Sequence, residues 1–180
     1  DLYISYLQNG KWSKPKNMGA PINTPGWESQ PSLSADGRTL YFASDRFGGY
    51  GLKDIWYSEK SPEGIWSTPK NIGAPINTLK NDGSPFIHSD NKTLYFMSDG
   101  HPGMGGTDIF LSRRQDDDSW GVPVNLGYPI NTAGNEGALI VNPAGDIAFY
   151  TSVKPDGKRT KEGFEDTDIY SFTLDSTLRP

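Results

Sequence analysis

Residues 30–56 read QPSLSADGRTLYFASDRFGGYGLKDIW, and residues 84–110 read SPFIHSDNKTLYFMSDGHPGMGGTDIF, the same pattern displaced by 54 positions. Outward from this pair, Ile22, Asn23 and Thr24 return as Ile76, Asn77 and Thr78 and again as Ile130, Asn131 and Thr132, while Trp12 returns as Trp66 and Trp120. Asp54 and Ile55 recur as Asp108 and Ile109 and, after about six inserted residues, as Asp168 and Ile169. A period near 50 denotes an array or a propeller, in which each repeat is one supersecondary unit that buries its apolar face against its neighbours.

The copies divide the chain into residues 1–24, 25–78, 79–132 and 133–180. The first is a partial blade and the last lacks its final strand. In each complete copy the pattern predicts four strands. The first begins at Gln30 or Ser84, matched by Ala138, and ends in a turn at Gly37, Asn91 or Gly145, residue types that accept the positive φ of a tight hairpin. The second, TLYFAS from Thr39 and TLYFMS from Thr93, is apolar without alternation, as expected of a strand covered on both faces. The third starts at Asp54, Asp108 and Asp168, with a further copy from Asp1. Trp66 with Ser67 and Pro69 marks a short outer strand, where proline is tolerated because one edge is unpaired, and a turn follows at Asn71 and Gly73. The count is thirteen strands. The fold expected is an all-β propeller of four-stranded antiparallel blades, with about three and a quarter present out of a five- or six-bladed ring. Sequence upstream, or association of several chains, would supply the rest.

Composition sets further limits. The 180 residues include no cysteine, so neither disulfides nor thiolate metal sites contribute. A net charge of -5 with interspersed signs argues against a nucleic-acid groove. No apolar run reaches the roughly 18 residues of a membrane span, and the chain opens on Asp1 without a signal peptide, so it reads as an excerpt of something longer. Aromatic residues at 12%, with 21 Gly and 14 Pro, suit short strands and frequent turns.

The core from Gln30 to Trp56 resembles the PD40 type of WD40-like repeat found in TolB-like propellers, and the resemblance covers essentially the whole chain. With the Pro-Ile-Asn-Thr element after the Trp, the 54-residue version is similar to propellers of OmpA-family envelope proteins of Bacteroidetes, among them a periplasmic component of the type IX secretion system. In that family tetratricopeptide helices precede the propeller; a small carboxypeptidase-regulatory-like β domain and an OmpA-like peptidoglycan-binding domain follow. The ending DIYSFTLDSTLRP resembles the junction with that β domain. The resemblance implies a non-catalytic periplasmic scaffold, associated with the outer membrane, that binds protein partners of the envelope. Peptidoglycan would be reached only through a separate domain. Val153, where other copies have Asp45 and Asp99, departs from the pattern.

Asp45, Asp54, Asp99, Asp108 and Asp168 flank the glycine-rich connection between second and third strands. They suit cation sites or paired catalytic carboxylates such as glycosidases use. Residues repeated in every blade more simply serve the blade, with the carboxylates accepting backbone N–H bonds. Trp12, Trp66 and Trp120 are likewise read as blade packing over sugar platforms. The stretches GGYG from Gly48 and GHPGMGG from Gly100 lack the following helix and Lys of a phosphate loop and are read as flexible connections. Only two histidines exist, which excludes a multi-histidine metal centre; His88, aligned with Ser34 and Asn142, reads as a surface or half-buried substitution. No G-x-S-x-G elbow is present. No catalytic, cofactor-binding or metal-binding residue is therefore assigned. The insertion after Val153, with Lys154, Asp156, Lys158, Arg159, Lys161 and Glu162, is read as a solvated loop or, alternatively, a partner-binding loop. The competing function is a glycan-binding module or a propeller associated with a glycosidase or peptidase.

Overall fold

The computed structural model describes residues 1–153, 163 and 167–180. The insertion residues Lys154, Asp156, Lys158, Arg159, Lys161 and Glu162 lie outside them.

The first segment holds four two-residue strands, β1 (Tyr3–Ile4), β2 (Leu7–Gln8), β3 (Lys11–Trp12) and β4 (Lys16–Asn17), with β1 paired to β4 and β2 to β3. Blade one is an antiparallel sheet of β5 (Glu28–Leu33), β6 (Thr39–Ser44), β7 (Asp54–Glu59) and β8 (Lys70–Asn71), in that order. Blade two repeats it with β9 (Asp82–Ile87), β10 (Thr93–Ser98), β11 (Asp108–Arg113) and β12 (Val124–Asn125). Blade three has β13 (Glu136–Val141), β14 (Ile147–Val153) and β15 (Thr167–Thr173).

Fifteen strands are therefore described where the sequence predicts thirteen, because the first segment contributes four short ones. The outer strand is also displaced. Trp66 and Trp120 make only isolated bridges to Lys60 and Arg114, and the outermost ladder falls to Lys70–Asn71 and Val124–Asn125. Asn71 thus sits in the strand, and its side chain caps the turn by accepting from Gly73 N–H at 2.9 Å. At the first hairpin Gly37, Asn91 and Gly145 have φ of 70°, 57° and 77°, so each occupies the left-handed region that a β-branched residue resists.

Why the second strands are apolar throughout is visible in the packing. In β10, Leu94 and Phe96 join Tyr41 and Ile55 of blade one, whereas Tyr95 joins Leu139, Val141 and Ala148 of blade three. Successive side chains of a strand point to opposite faces, so a strand between two blades must be apolar at every position. On blade three, Phe149 and Ile169 occupy the positions of Tyr95 and Ile109, yet Ile169 is 75% exposed where Ile109 is fully buried.

The Ile-Asn-Thr triplet joins one blade to the next. Ile22, Ile76 and Ile130 are buried in successive inter-blade clusters. Asn77 accepts from Ile55 N–H at 2.9 Å and donates to Ile55 C=O at 3.0 Å, completing the edge of β7 as a strand residue would. Asn23 does the same at Leu2 and Asn131 at Ile109. Thr24, Thr78 and Thr132 then donate their hydroxyls to the acid that opens the next blade, Glu28, Asp82 or Glu136. Replacing Asn77 by Ala would strand two buried backbone groups; the expected loss is about 2 to 4 kcal/mol in urea unfolding. An unchanged midpoint would show that water or a shifted backbone takes over the side chain's role.

Candidate functional site

At the end where the second strand passes to the third, each blade carries a row of three polar residues in register. The rows are Glu28–Ser44–Asp54, Asp82–Ser98–Asp108 and Glu136–Ser152–Asp168. Most of these side chains are buried, and burial of a charge is tolerated only where partners satisfy it.

In blade one, Glu28 receives Thr24 N–H at 3.1 Å, the Thr24 hydroxyl at 2.5 Å and the Ser44 hydroxyl at 3.2 Å. Arg46 completes it with an ion pair at 3.3 Å, donating also to the carbonyls of Ile22 and Pro21. The guanidinium lies against two rings, 4.8 Å from the Phe42 centroid and 5.3 Å from that of Trp56. Its burial pulls the Arg46 pKa below the ordinary value, and Glu28 opposes that shift. In blade two, Asp82 receives Thr78 N–H at 2.6 Å, the Thr78 hydroxyl at 2.8 Å and the Ser98 hydroxyl at 2.5 Å. Burial raises the Asp82 pKa while those hydrogen bonds restrain it. Here the group packed against both rings is His101, 5.9 Å from Phe96 and 5.1 Å from Phe110, with Nε2 at 2.8 Å from the Ile76 carbonyl. A carbonyl only accepts, so Nε2 carries the proton.

The aspartates singled out by their spacing hold the loops. Asp54 accepts from Tyr50 N–H at 2.5 Å, Gly51 N–H at 3.2 Å and Asn71 Nδ2 at 3.1 Å; Asp108 accepts from Met104 N–H at 2.6 Å and Gly105 N–H at 3.4 Å. Asp45 accepts from Trp27 N–H at 2.8 Å, and Asp99 from both the backbone and side-chain amides of Asn81 at 2.8 and 2.9 Å. Asp168 is exposed at the start of β15. The glycine-rich connections are consequently wrapped tightly, which corrects the reading of them as flexible. A methyl group on Gly49 or Gly103 would overlap the Asp54 or Asp108 carboxylate, and one on Gly51 would meet the carbonyls of Thr78 and Lys80.

The tryptophans divide. Trp66 and Trp120 pack on the preceding inter-blade clusters, Trp120 edge-on to Tyr41 at 6.4 Å, but Trp12 is 70% exposed on the β2–β3 hairpin. His88 is buried, which corrects its reading as a surface or half-buried substitution: Nδ1 accepts from Asp90 N–H at 3.2 Å and Nε2 lies 3.1 Å from the Asn142 carbonyl. It pins its hairpin, as Ser34 does by accepting from Thr39 N–H.

The buried acids Glu28, Asp82 and Glu136 and the ring-stacked Arg46 and His101 escape the sequence reading. Their signal was the four-residue spacing from each Thr of the triplet to the acid. Above the row, the loop of blade one presents Phe47, fully exposed, with Tyr50 and Leu52; Leu52 N–H bonds the Lys80 carbonyl at 2.9 Å, which sets this loop beside the 80% exposed Leu79. Trp27 adjoins them, with Lys53 Nζ 4.5 Å from its ring centroid. An apolar rim on loops fixed from beneath is the arrangement of a binding surface. Among the described residues no group of three or more His, Asp or Glu could hold a metal ion, and no helix is long and apolar enough to cross a membrane.

No protein-family model matches the chain, and no curated protein does. Among solved structures it superposes on TolB from Acinetobacter baumannii with a TM-score of 0.58 at 14% identity, over 97% of this chain and 35% of that one. It superposes also on an alpha-L-arabinofuranosidase from Lactobacillus brevis with a TM-score of 0.56 at 13% identity, over 92% of this chain and 58% of that one. The fold is that of a β-propeller, present in part. The chain spans less than two thirds of either structure.

Two outcomes test the row. Gly103→Ala is expected to cost about 1 to 3 kcal/mol by overpacking, with an unchanged urea midpoint arguing that the loop is free to move. For Asp82 the folded carboxyl titrates above its ordinary 3.8, so its contribution is greatest below that pH and declines as pH rises through the folded value. Stability of wild type relative to Asp82→Asn is accordingly expected to fall from pH 3.5 to pH 7, and parallel pH profiles would contradict it.

Proposed function

We propose that this chain is the propeller portion of a non-catalytic protein–protein interaction scaffold of the bacterial periplasm. Its setting is an outer-membrane-associated complex linked to peptidoglycan through a separate domain, the type IX secretion system being the example that the repeat pattern suggests. The observation that carries the reading is the apolar rim of Phe47, Tyr50, Leu52 and Leu79, standing on loops held by Asp54 and the next segment's backbone. Exposed aromatic and aliphatic side chains carried on an already ordered backbone bind protein surfaces without a cost for ordering the loop. The same geometry speaks against hydrolysis. General acid–base work needs carboxylates free to exchange protons with a substrate, and Asp54, Asp108, Glu28 and Asp82 are engaged by loop amides, hydroxyls and Arg46.

A glycan-binding or glycosidase- or peptidase-associated propeller is the alternative, favoured by tyrosine rings around a cavity between blades two and three. A photo-cross-linker at position 50 of the full-length protein in intact cells separates the two. The expected result is a discrete protein adduct that Phe47→Asp with Leu79→Asp abolishes while the melting temperature stays within about 2 °C of wild type, as surface changes do. Oligosaccharide binding or turnover with no protein adduct would replace the scaffold reading by the alternative.

A further inference from the structure

Blades one and two each lay a cation on the tryptophan that follows their third strand, Lys60 on Trp66 at 4.9 Å and Arg114 on Trp120 at 5.4 Å from the ring centroid. That stacking recurs 54 residues apart and serves the blade. Two departures from the repeat then meet in blade two. A guanidinium replaces the ammonium, and Asp118 replaces Gly64 at the left-handed position of the turn, with φ of 66° against 85°. Asp accepts that conformation less readily than Gly, so the turn itself does not call for it.

Arg114 lines a cavity of 280 Å³ between blades one and two, whose walls all lie among the described residues. That volume is at the small end of ligand-sized clefts, about 300 Å³ and upward. Tyr57, Ile72 and Pro75 wall it from blade one and Trp120 from blade two. The guanidinium is poorly engaged there. The Arg114 side chain is 34% exposed; Nη2 donates to the Tyr41 hydroxyl at 3.4 Å, longer than an ordinary hydrogen bond, Nη1 lies 3.8 Å from the 87% exposed Asp118 carboxylate, and buried Nε has no partner. A solvated ion pair of that length is weak. Arg46, by contrast, donates from Nε to Ser44 at 3.1 Å and from Nη2 to Glu28 at 3.3 Å and to the Ile22 carbonyl. The Tyr41 hydroxyl accepts from Arg114 and, among the described residues, donates to none, so a second donor lines the same cavity. Burial raises the Tyr41 pKa, which keeps that proton in place, and Arg114 opposes the shift.

We propose that this cavity binds a carboxylate carried on an apolar body, the terminal residue of a polypeptide or a free organic acid of that shape. The carboxylate takes the terminal nitrogens of Arg114 and the Tyr41 hydroxyl, in the charge-assisted bonds that a planar fork of donors makes in pairs. The apolar body lies against Ile72, Pro75 and the Tyr57 ring. Asp118 is the one carboxylate that lines the cavity, and it competes with the ligand for Nη1. The cavity shares no lining residue with the rim around Phe47, and each reading survives failure of the other.

The test is calorimetric titration of the full-length protein with N-acetyl-Gly-Phe, with its C-terminal amide and with hydrocinnamate. Saturable binding of the peptide acid is expected, with the amide weaker by about tenfold or more. Two variants restore what blade one carries at the same positions and so retain the fold: Arg114→Lys is expected to weaken the acid about tenfold, and Asp118→Gly to tighten it about threefold. Equal binding of acid and amide, binding of neither, unchanged affinity in Arg114→Lys, or weaker binding in Asp118→Gly overturns the proposal. Hydrocinnamate binding as tightly as the peptide assigns the cavity to free organic acids, and a preference for the peptide assigns it to a polypeptide end; both uphold the carboxylate.

Discussion

The structure depends on one side chain per repeat that behaves as backbone. Asn23, Asn77 and Asn131 present an amide to the third strand of one blade and bond both its N–H and its C=O. A strand edge closed in this way cannot slip by one residue without breaking two buried hydrogen bonds, and a slip would also turn every side chain to the wrong face. Because the adjoining Ile is in the inter-blade core and the adjoining Thr reaches the next blade's acid, the local triplet sets the distance and rotation between blades. The rest of the packing follows: second strands lie between two apolar faces and carry no polar alternation.

Function builds on that rigidity. Loops above the row are fixed by Asp54 and Asp108 on one side and by the next segment's backbone on the other, so the backbone that carries their exposed side chains is held in place. This explains why the glycine-rich connections lack side chains where they touch the aspartates and carry Phe47, Tyr50 and Met104 where they face solvent.

Much of the fold was legible because repetition makes a pattern readable three times over: the hairpin turns at Gly37, Asn91 and Gly145, the apolar second strands and the blade order all follow from it. What was hidden breaks the repeat or is too short to show periodicity. Lys70–Asn71 is a two-residue ladder, and Trp66 nearby draws the eye as a better strand residue. The first-strand acids alternate between Glu and Asp, and carboxylates at a strand start ordinarily face water. Arg46 and His101 differ in type and are one place out of register, so an alignment does not show that they fill one slot. His88 looked incidental since no sequence rule says that a hairpin pinned by Ser34 in one blade is pinned by an imidazole in the next.

That substitution of parts between junctions bears on assembly. In a repeat array with contacts only between neighbours, identical junctions would let a strand or a blade pair one period away from its place, within a chain or between copies. The junctions here are keyed differently: a long acid with a guanidinium, a short acid beside an imidazole, and a long acid again where Thr132 meets Glu136. A blade set in the wrong place would bury a carboxylate against a partner of the wrong reach. The chain thus carries an address at each seam, written in residues that the repeat itself leaves free to vary.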